Sequence, residues 1–77
     1  MLIHVKSFAH MRRYTTHLPQ DGALEVSEGM TVAQVLDLLG VPSETSKLIF
    51  VNGRPQSGGH VLGTGDLLVF FPPLEGG

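Results

Sequence analysis

The groups able to do chemistry in this 77-residue chain are few, and the least ordinary of them closes it: Phe70-Phe71-Pro72-Pro73-Leu74-Glu75-Gly76-Gly77, ending on a carboxylate. Gly-Gly has nothing to pack and the most backbone freedom to lose on ordering, so it contributes almost nothing to a fold. Either such an end frays, or its bareness is its use. A segment without Cβ atoms can enter a narrow channel and present its carboxylate to a second protein. Elsewhere the inventory is thin. There are no cysteines, which excludes disulfides, thiolate metal sites and a cysteine nucleophile within this chain. His4, His10, His17 and His60 include no i, i+4 pair and read as scattered surface side chains, not as a metal site. Gly58-Gly59 and Gly63-Thr64-Gly65 open no helix and precede no Lys-Ser/Thr, so they read as turns and not as a phosphate loop. Asp66 and Glu75 have no second acid nearby in sequence with which to form a catalytic pair.

Size and composition narrow the classes further. A chain of this length buries only about 60–65% of its unfolded surface and has room for one core, so a single domain over residues 1–77 is expected and a deep catalytic cleft is not. With 42% hydrophobic residues the composition is that of a folded chain. Seven acidic against five basic residues give a net charge of −2, which offers no basic field for nucleic acid or an anionic membrane surface. Apolar runs stay far below the roughly 18 residues that a membrane span needs. The start Met1-Leu2-Ile3-His4-Val5-Lys6 lacks the basic n-region of a signal peptide, so a cytoplasmic protein is expected.

The elements that would position the tail follow from periodicity. Residues 2–8 alternate, with Ile3 and Val5 on one face and His4 and Lys6 on the other, as in a half-buried strand. Residues 9–22 show no clear period and read as a loop with one helical turn near His10–Tyr14. Residues 23–27 alternate again, with Leu24 and Val26 inward. The strongest local signal is the helix after Met30: Thr31 caps it, Gln34 completes a capping box, and Met30 is placed to staple onto Val35. Val32, Val35, Leu36 and Leu39 form its apolar stripe, and Gly40 followed by Pro42 stops it. Residues 47–52 read as a strand ending at an Asn52-Gly53 turn, Val61-Leu62 as a minimal edge strand, and Leu67–Phe71 as a buried central strand. This β-β-α-β-β order, closed by a last strand parallel to the first, is the β-grasp arrangement of the α+β class: a mixed sheet of four to five strands with one main helix.

At the end of the last strand, Pro72 and Pro73 hold the chain extended, so residues 72–77 form a projecting tail with a stiff root. A pre-extended tail loses less entropy on entering a partner. Phe70 and Phe71 must point to opposite faces, so at most one belongs to the core.

Taken together, Val51-Asn52-Gly53-Arg54, Gly65-Asp66, Phe70-Phe71-Pro72-Pro73 and the closing Gly76-Gly77, with Phe8-Ala9 and Arg12-Arg13 near the start, resemble the MoaD/ThiS family of ubiquitin-like sulfur carriers over nearly the whole chain. The Phe-Pro ending is more similar to the MoaD branch, the small subunit of molybdopterin synthase, than to the thiamine-pathway ThiS branch. Glu75 departs from the pattern, since members often carry a small or β-branched residue there.

The resemblance implies a carrier without a catalytic constellation or bound cofactor of its own. An activating enzyme of the MoeB/ThiF type would use ATP to adenylate the Gly77 carboxylate. A sulfur donor would then displace AMP to leave a thiocarboxylate, and a larger MoaE-like synthase subunit would take the sulfur into molybdopterin. Gly76 and Gly77 would be the reacting end, with Phe71, Pro72, Pro73, Leu74 and Glu75 meeting the partner. Two alternatives share the same end: a ubiquitin-like modifier joined through Gly77 to lysines, or a sulfur carrier for thiamine or another pathway. A β-grasp interaction module with an idle tail is the third class.

Overall fold

The computed structural model describes residues 1–74. Its strands are β1 (Leu2–Ser7), β2 (Ala23–Glu25), β3 (Leu48–Val51), β4 (Arg54–Pro55) and β5 (Leu67–Phe71), and its one α-helix is α1 (Val32–Leu38). The strands form a single sheet in the order β2-β1-β5-β3-β4. β5 lies at the centre, parallel to β1 and antiparallel to β3, while β1–β2 and β3–β4 are antiparallel pairs. This is the expected mixed β-grasp sheet with the last strand beside the first.

Alternation sorts the strands into two faces. Ile3, Val5 and Ser7 of β1 and Leu68 and Phe70 of β5 are buried on one face, while Leu2 and Lys6 are exposed on the other. The buried face is covered by α1, whose stripe of Val32, Val35, Leu36 and Leu39 is buried throughout. Both ends of the helix are closed as the sequence leads one to expect. The Gln34 N–H donates to Thr31 Oγ1 at 3.2 Å and the Thr31 N–H to Gln34 Oε1 at 2.9 Å, which completes the capping box. At the other end Gly40 takes φ +88°, the Gly40 N–H donates to the Asp37 carbonyl and the Val41 N–H to the Leu36 carbonyl. This is the paired Schellman closure, and its accompanying apolar residues Val41 and Leu36 are both buried. Truncation of Leu36 leaves a cavity under the helix, so Leu36→Ala costs about 2–5 kcal/mol in a chemical denaturation experiment.

Two features depart from the sequence reading. The short extra strand is Arg54–Pro55 and not Val61-Leu62; Val61 makes an isolated bridge to Thr31. The reason is the turn: Asn52 (φ +52°) and Gly53 (φ +83°) are both left-handed, which closes a two-residue hairpin and sends the chain straight back along β3. Further upstream, the single turn expected at His10–Tyr14 is a six-residue 3₁₀ helix, Ala9–Tyr14, that buries Met11 completely. It thereby adds Met11 to the core against β1 and β5, a role invisible to periodicity because a 3₁₀ segment this short repeats no pattern. The loop returns through Gly22, where a Cβ would run into the Val5 carbonyl and φ is +76°; only glycine fits between the loop and β1.

Candidate functional site

The tail leaves from the centre of the sheet. Alternation along β5 places Phe70 in the core, with no exposed surface, and Phe71 on the opposite, outer face. There Phe71 stacks on Phe50 from β3, with ring centroids 5.7 Å apart and planes inclined by 8°, and meets Phe8 edge-on at 6.4 Å and 76°. Offset and edge-on pairs of this kind each contribute about 0.5–1.5 kcal/mol beyond area burial, so the three rings form a fixed unit. The cluster is nonetheless open to solvent. Phe8 is 50% exposed, and Leu48, in register opposite Phe71, is 42% exposed. Val69 lies in register between Lys6 and Phe50 and extends the same face. Pro72 and Pro73 are half-buried beyond β5, whereas Leu74 is 93% exposed. An apolar aromatic platform therefore surrounds the point where the chain departs.

Residues far from the tail hold β5 in place. Asn52 donates through Nδ2 to Asp66 Oδ1 at 2.9 Å and accepts at Oδ1 from the Leu67 N–H at 2.9 Å. Asp66 accepts from the Gly63 N–H at Oδ2, at 2.8 Å. The Asn52-Gly53 and Gly65-Asp66 pairs are thus two halves of one clamp, which ties the β3–β4 turn to the start of β5 at the end opposite the tail. Asp66→Ala removes two of its hydrogen bonds at an exposed site, and urea unfolding is expected to show a loss of about 1–2 kcal/mol with the β5 register kept.

Of the residues singled out by sequence, Phe71, Pro72, Pro73 and Leu74 follow one another from platform to solvent. Glu75, Gly76 and Gly77 lie outside the described residues. Arg54 sits exposed on the edge strand β4, opposite Val51. The histidines are not gathered: His4 Nδ1 bonds the Asp21 carbonyl at 3.1 Å, and among the described residues no three His, Asp or Glu side chains converge on a common point for a metal. Sequence reasoning did not single out Phe50 and Leu48, and named Phe8 only as part of the family resemblance. Counting alternate positions along residues 48–51 from Val51 outward puts Phe50 opposite the core, but its contact with Phe71 depends on a register that only the fold supplies.

Comparison with known proteins agrees with this architecture. A family model described as the ThiS family matches residues 5–77. Among solved structures, the chain is similar to the crystal structure of SAMP1 from Haloferax volcanii, at 24% identity over 100% of both chains with a TM-score of 0.73. It is also similar to the crystal structure of H. volcanii small archaeal modifier protein 1, at 22% identity over 95% of this chain and 98% of that one, with a TM-score of 0.72. At these identities the two structures speak to the fold alone. No curated protein matches the chain. Among the described residues no helix is long and apolar enough to cross a membrane.

Proposed function

The chain belongs to the ThiS family, and from that premise we propose that it is a sulfur carrier whose working group is the Gly77 carboxylate, serving molybdopterin synthesis as in the MoaD branch. Small carriers of this ubiquitin-like family are generally non-catalytic and act with E1-like activating enzymes. In the proposed cycle the Gly77 carboxylate attacks the α-phosphorus of ATP on an enzyme of the MoeB/ThiF type and pyrophosphate leaves. Sulfur at the sulfide level, brought by a donor, then attacks the acyl carbon and AMP leaves. The resulting thiocarboxylate is a soft nucleophile that a MoaE-like subunit can direct at a substrate carbon. The absence of cysteine is consistent with this: the sulfur is carried on the backbone end.

The observation that carries the proposal is the continuity from the aromatic platform through Phe71-Pro72-Pro73 to the Gly-Gly end in a chain matched by the ThiS model up to residue 77. A rigid root beside an apolar face lets the partner grip the body while the glycines thread. The body's share is binding and aim. ATP, acid–base groups and any metal reside on the partners.

The test is an intact mass after incubation with the activating enzyme, ATP and a sulfur donor. Exchange of one carboxyl oxygen for sulfur, mapped to Gly77, is expected. A second reading is favoured by the similarity to a protein named small archaeal modifier: conjugation of Gly77 to lysines of other proteins. The same adenylate serves both reactions. Higher-mass conjugates recovered with the tagged chain, in place of a thiocarboxylate, would move the assignment to that reading.

A further inference from the structure

Beside the root of the tail, a cavity of about 350 Å³ opens between β1, the 3₁₀ helix and the loop before Gly22. Its wall carries two cationic side chains, Lys6 and Arg12, and the hydroxyls of Ser7, Thr15 and Thr16. Ser7 is 7% exposed and its Oγ lies 2.7 Å from Thr15 Oγ1. Thr15 Oγ1 donates to the Arg12 carbonyl at 3.3 Å and Thr16 Oγ1 to the Arg13 carbonyl at 3.4 Å, so the hydroxyls order the wall and the two cations are what is left to meet an anion. Among the described residues no carboxylate lines the cavity. Asp21, next to the lining residues Gln20 and Gly22, turns its Oδ1 to the Ala23 N–H. Among the described residues, neither Lys6 nor Arg12 has an ion-pair partner; the ion pair found there joins the Met1 ammonium to Glu25. Arg13, the neighbouring cation, is occupied elsewhere, with its guanidinium 5.4 Å above the Tyr14 ring. Two cations have thus been brought to a hydroxyl-lined recess on a chain whose net charge is −2.

We infer that this recess is an oxyanion socket that receives a carboxylate from an acidic segment of the protein that takes up the tail. The inference rests on the proposed reading of the tail as a threaded end. Phe8 belongs both to the socket wall and, through its edge contact with Phe71, to the platform, so the socket is continuous with the tail's root. The six residues after Phe71 reach at most about 20 Å even when fully extended. A channel that swallows them must set its mouth against the platform, which places residues of that mouth over Lys6 and Arg12. Cations left without partners at such a rim select an acidic surface and repel a basic one. Because the socket lies at the root and the reaction at the tip, it governs docking and not chemistry.

The decisive experiment follows the backbone amides of Ser7, Thr15 and Thr16 by NMR in the intact chain, titrated separately with a blocked tri-glutamate peptide and with inorganic phosphate. The peptide is expected to give saturable shifts at these amides, weakened about fivefold or more in the K6Q/R12Q double variant and suppressed by about 0.5 M salt. No saturable shift with the peptide, or the same affinity in the double variant, overturns the socket. Saturation by phosphate with the peptide inert overturns the partner-carboxylate assignment in favour of a free-anion site. With the activating enzyme, the double variant is expected to raise KM for the carrier about tenfold with kcat kept. An unchanged KM overturns the docking role. If the wild-type chain is not adenylated at all, it is the sulfur-carrier reading that fails, and the peptide titration still decides the socket.

Discussion

Removal of Gly77 is expected to abolish the proposed thiocarboxylate formation and to leave the melting temperature within about 1 °C of the full chain. The two halves of this result have separate causes. Chemistry is lost because the shortened chain ends one residue, about 3.3–3.6 Å, short of the position that the activating enzyme's ATP can reach, and a misplacement of 1 Å already costs about a hundredfold. Stability is kept because the core is sealed before the tail begins. Phe70 is its last fully buried side chain, and Leu74, four residues on, is 93% exposed. Gly77→Ala is the subtler probe: it keeps the length and adds one Cβ, so a severe loss shows that the channel is tight on the backbone. A drop of several degrees on deleting Gly77 would mean that the end packs on the body, contrary to its reading as a projecting group. Intact mass reads the first half of the result and thermal unfolding the second. Conjugates made by the full chain and not by the shortened one would locate the same end in modification of lysines.

Much of this arrangement was legible along the chain because it is written in local patterns. Thr31, Gln34 and Gly40 mark both ends of α1 through caps that need no tertiary context, the alternation of residues 2–6 assigns β1, and the continuous apolar run 67–71 assigns β5. What resisted reading is what depends on register or on a weakly periodic segment. Phe71 lies about 20 positions from Phe50 and about 60 from Phe8, and nothing local says that the parallel pairing of Ser7 with Phe70 and the antiparallel pairing of Leu48 with Phe71 bring their rings together. Met11 sits in a 3₁₀ turn whose neighbours are His10 and Arg12, so its complete burial has no periodic signature. Val61-Leu62 looks like an edge strand by composition, but the left-handed pair Asn52-Gly53 had already committed the edge to Arg54-Pro55. The same limit applied to the tail's root: alternation requires Phe70 and Phe71 to part, and only the packing of α1 on one side of the sheet says which of them is inside.

That division between two adjacent phenylalanines yields the second large effect. Phe70→Ala empties the centre of the core on the strand that joins both halves of the sheet, and an expected loss of about 3–5 kcal/mol is a large share of the stability of so small a chain. Thermal and urea unfolding read it directly, and binding to the activating enzyme falls only as far as the folded fraction does. Phe71→Ala behaves in the opposite way. Its ring is half-exposed and lies over Phe50 with Phe8 at its edge, so its removal costs the fold about 1–2 kcal/mol while stripping the platform of its central ring. If the outer face is where the partner grips, that ring is an aromatic anchor, and its loss is expected to weaken binding by about 2 kcal/mol or more, roughly thirtyfold, with the fold intact. Titration calorimetry with the activating enzyme separates the cases, provided each variant is shown to be folded at the temperature used. Equal affinity for Phe71→Ala and the wild-type chain would move the docking surface off the sheet. The partner would then be held by the tail and the cationic recess alone, and the half-exposed rings would serve only to stiffen the strand from which the tail departs.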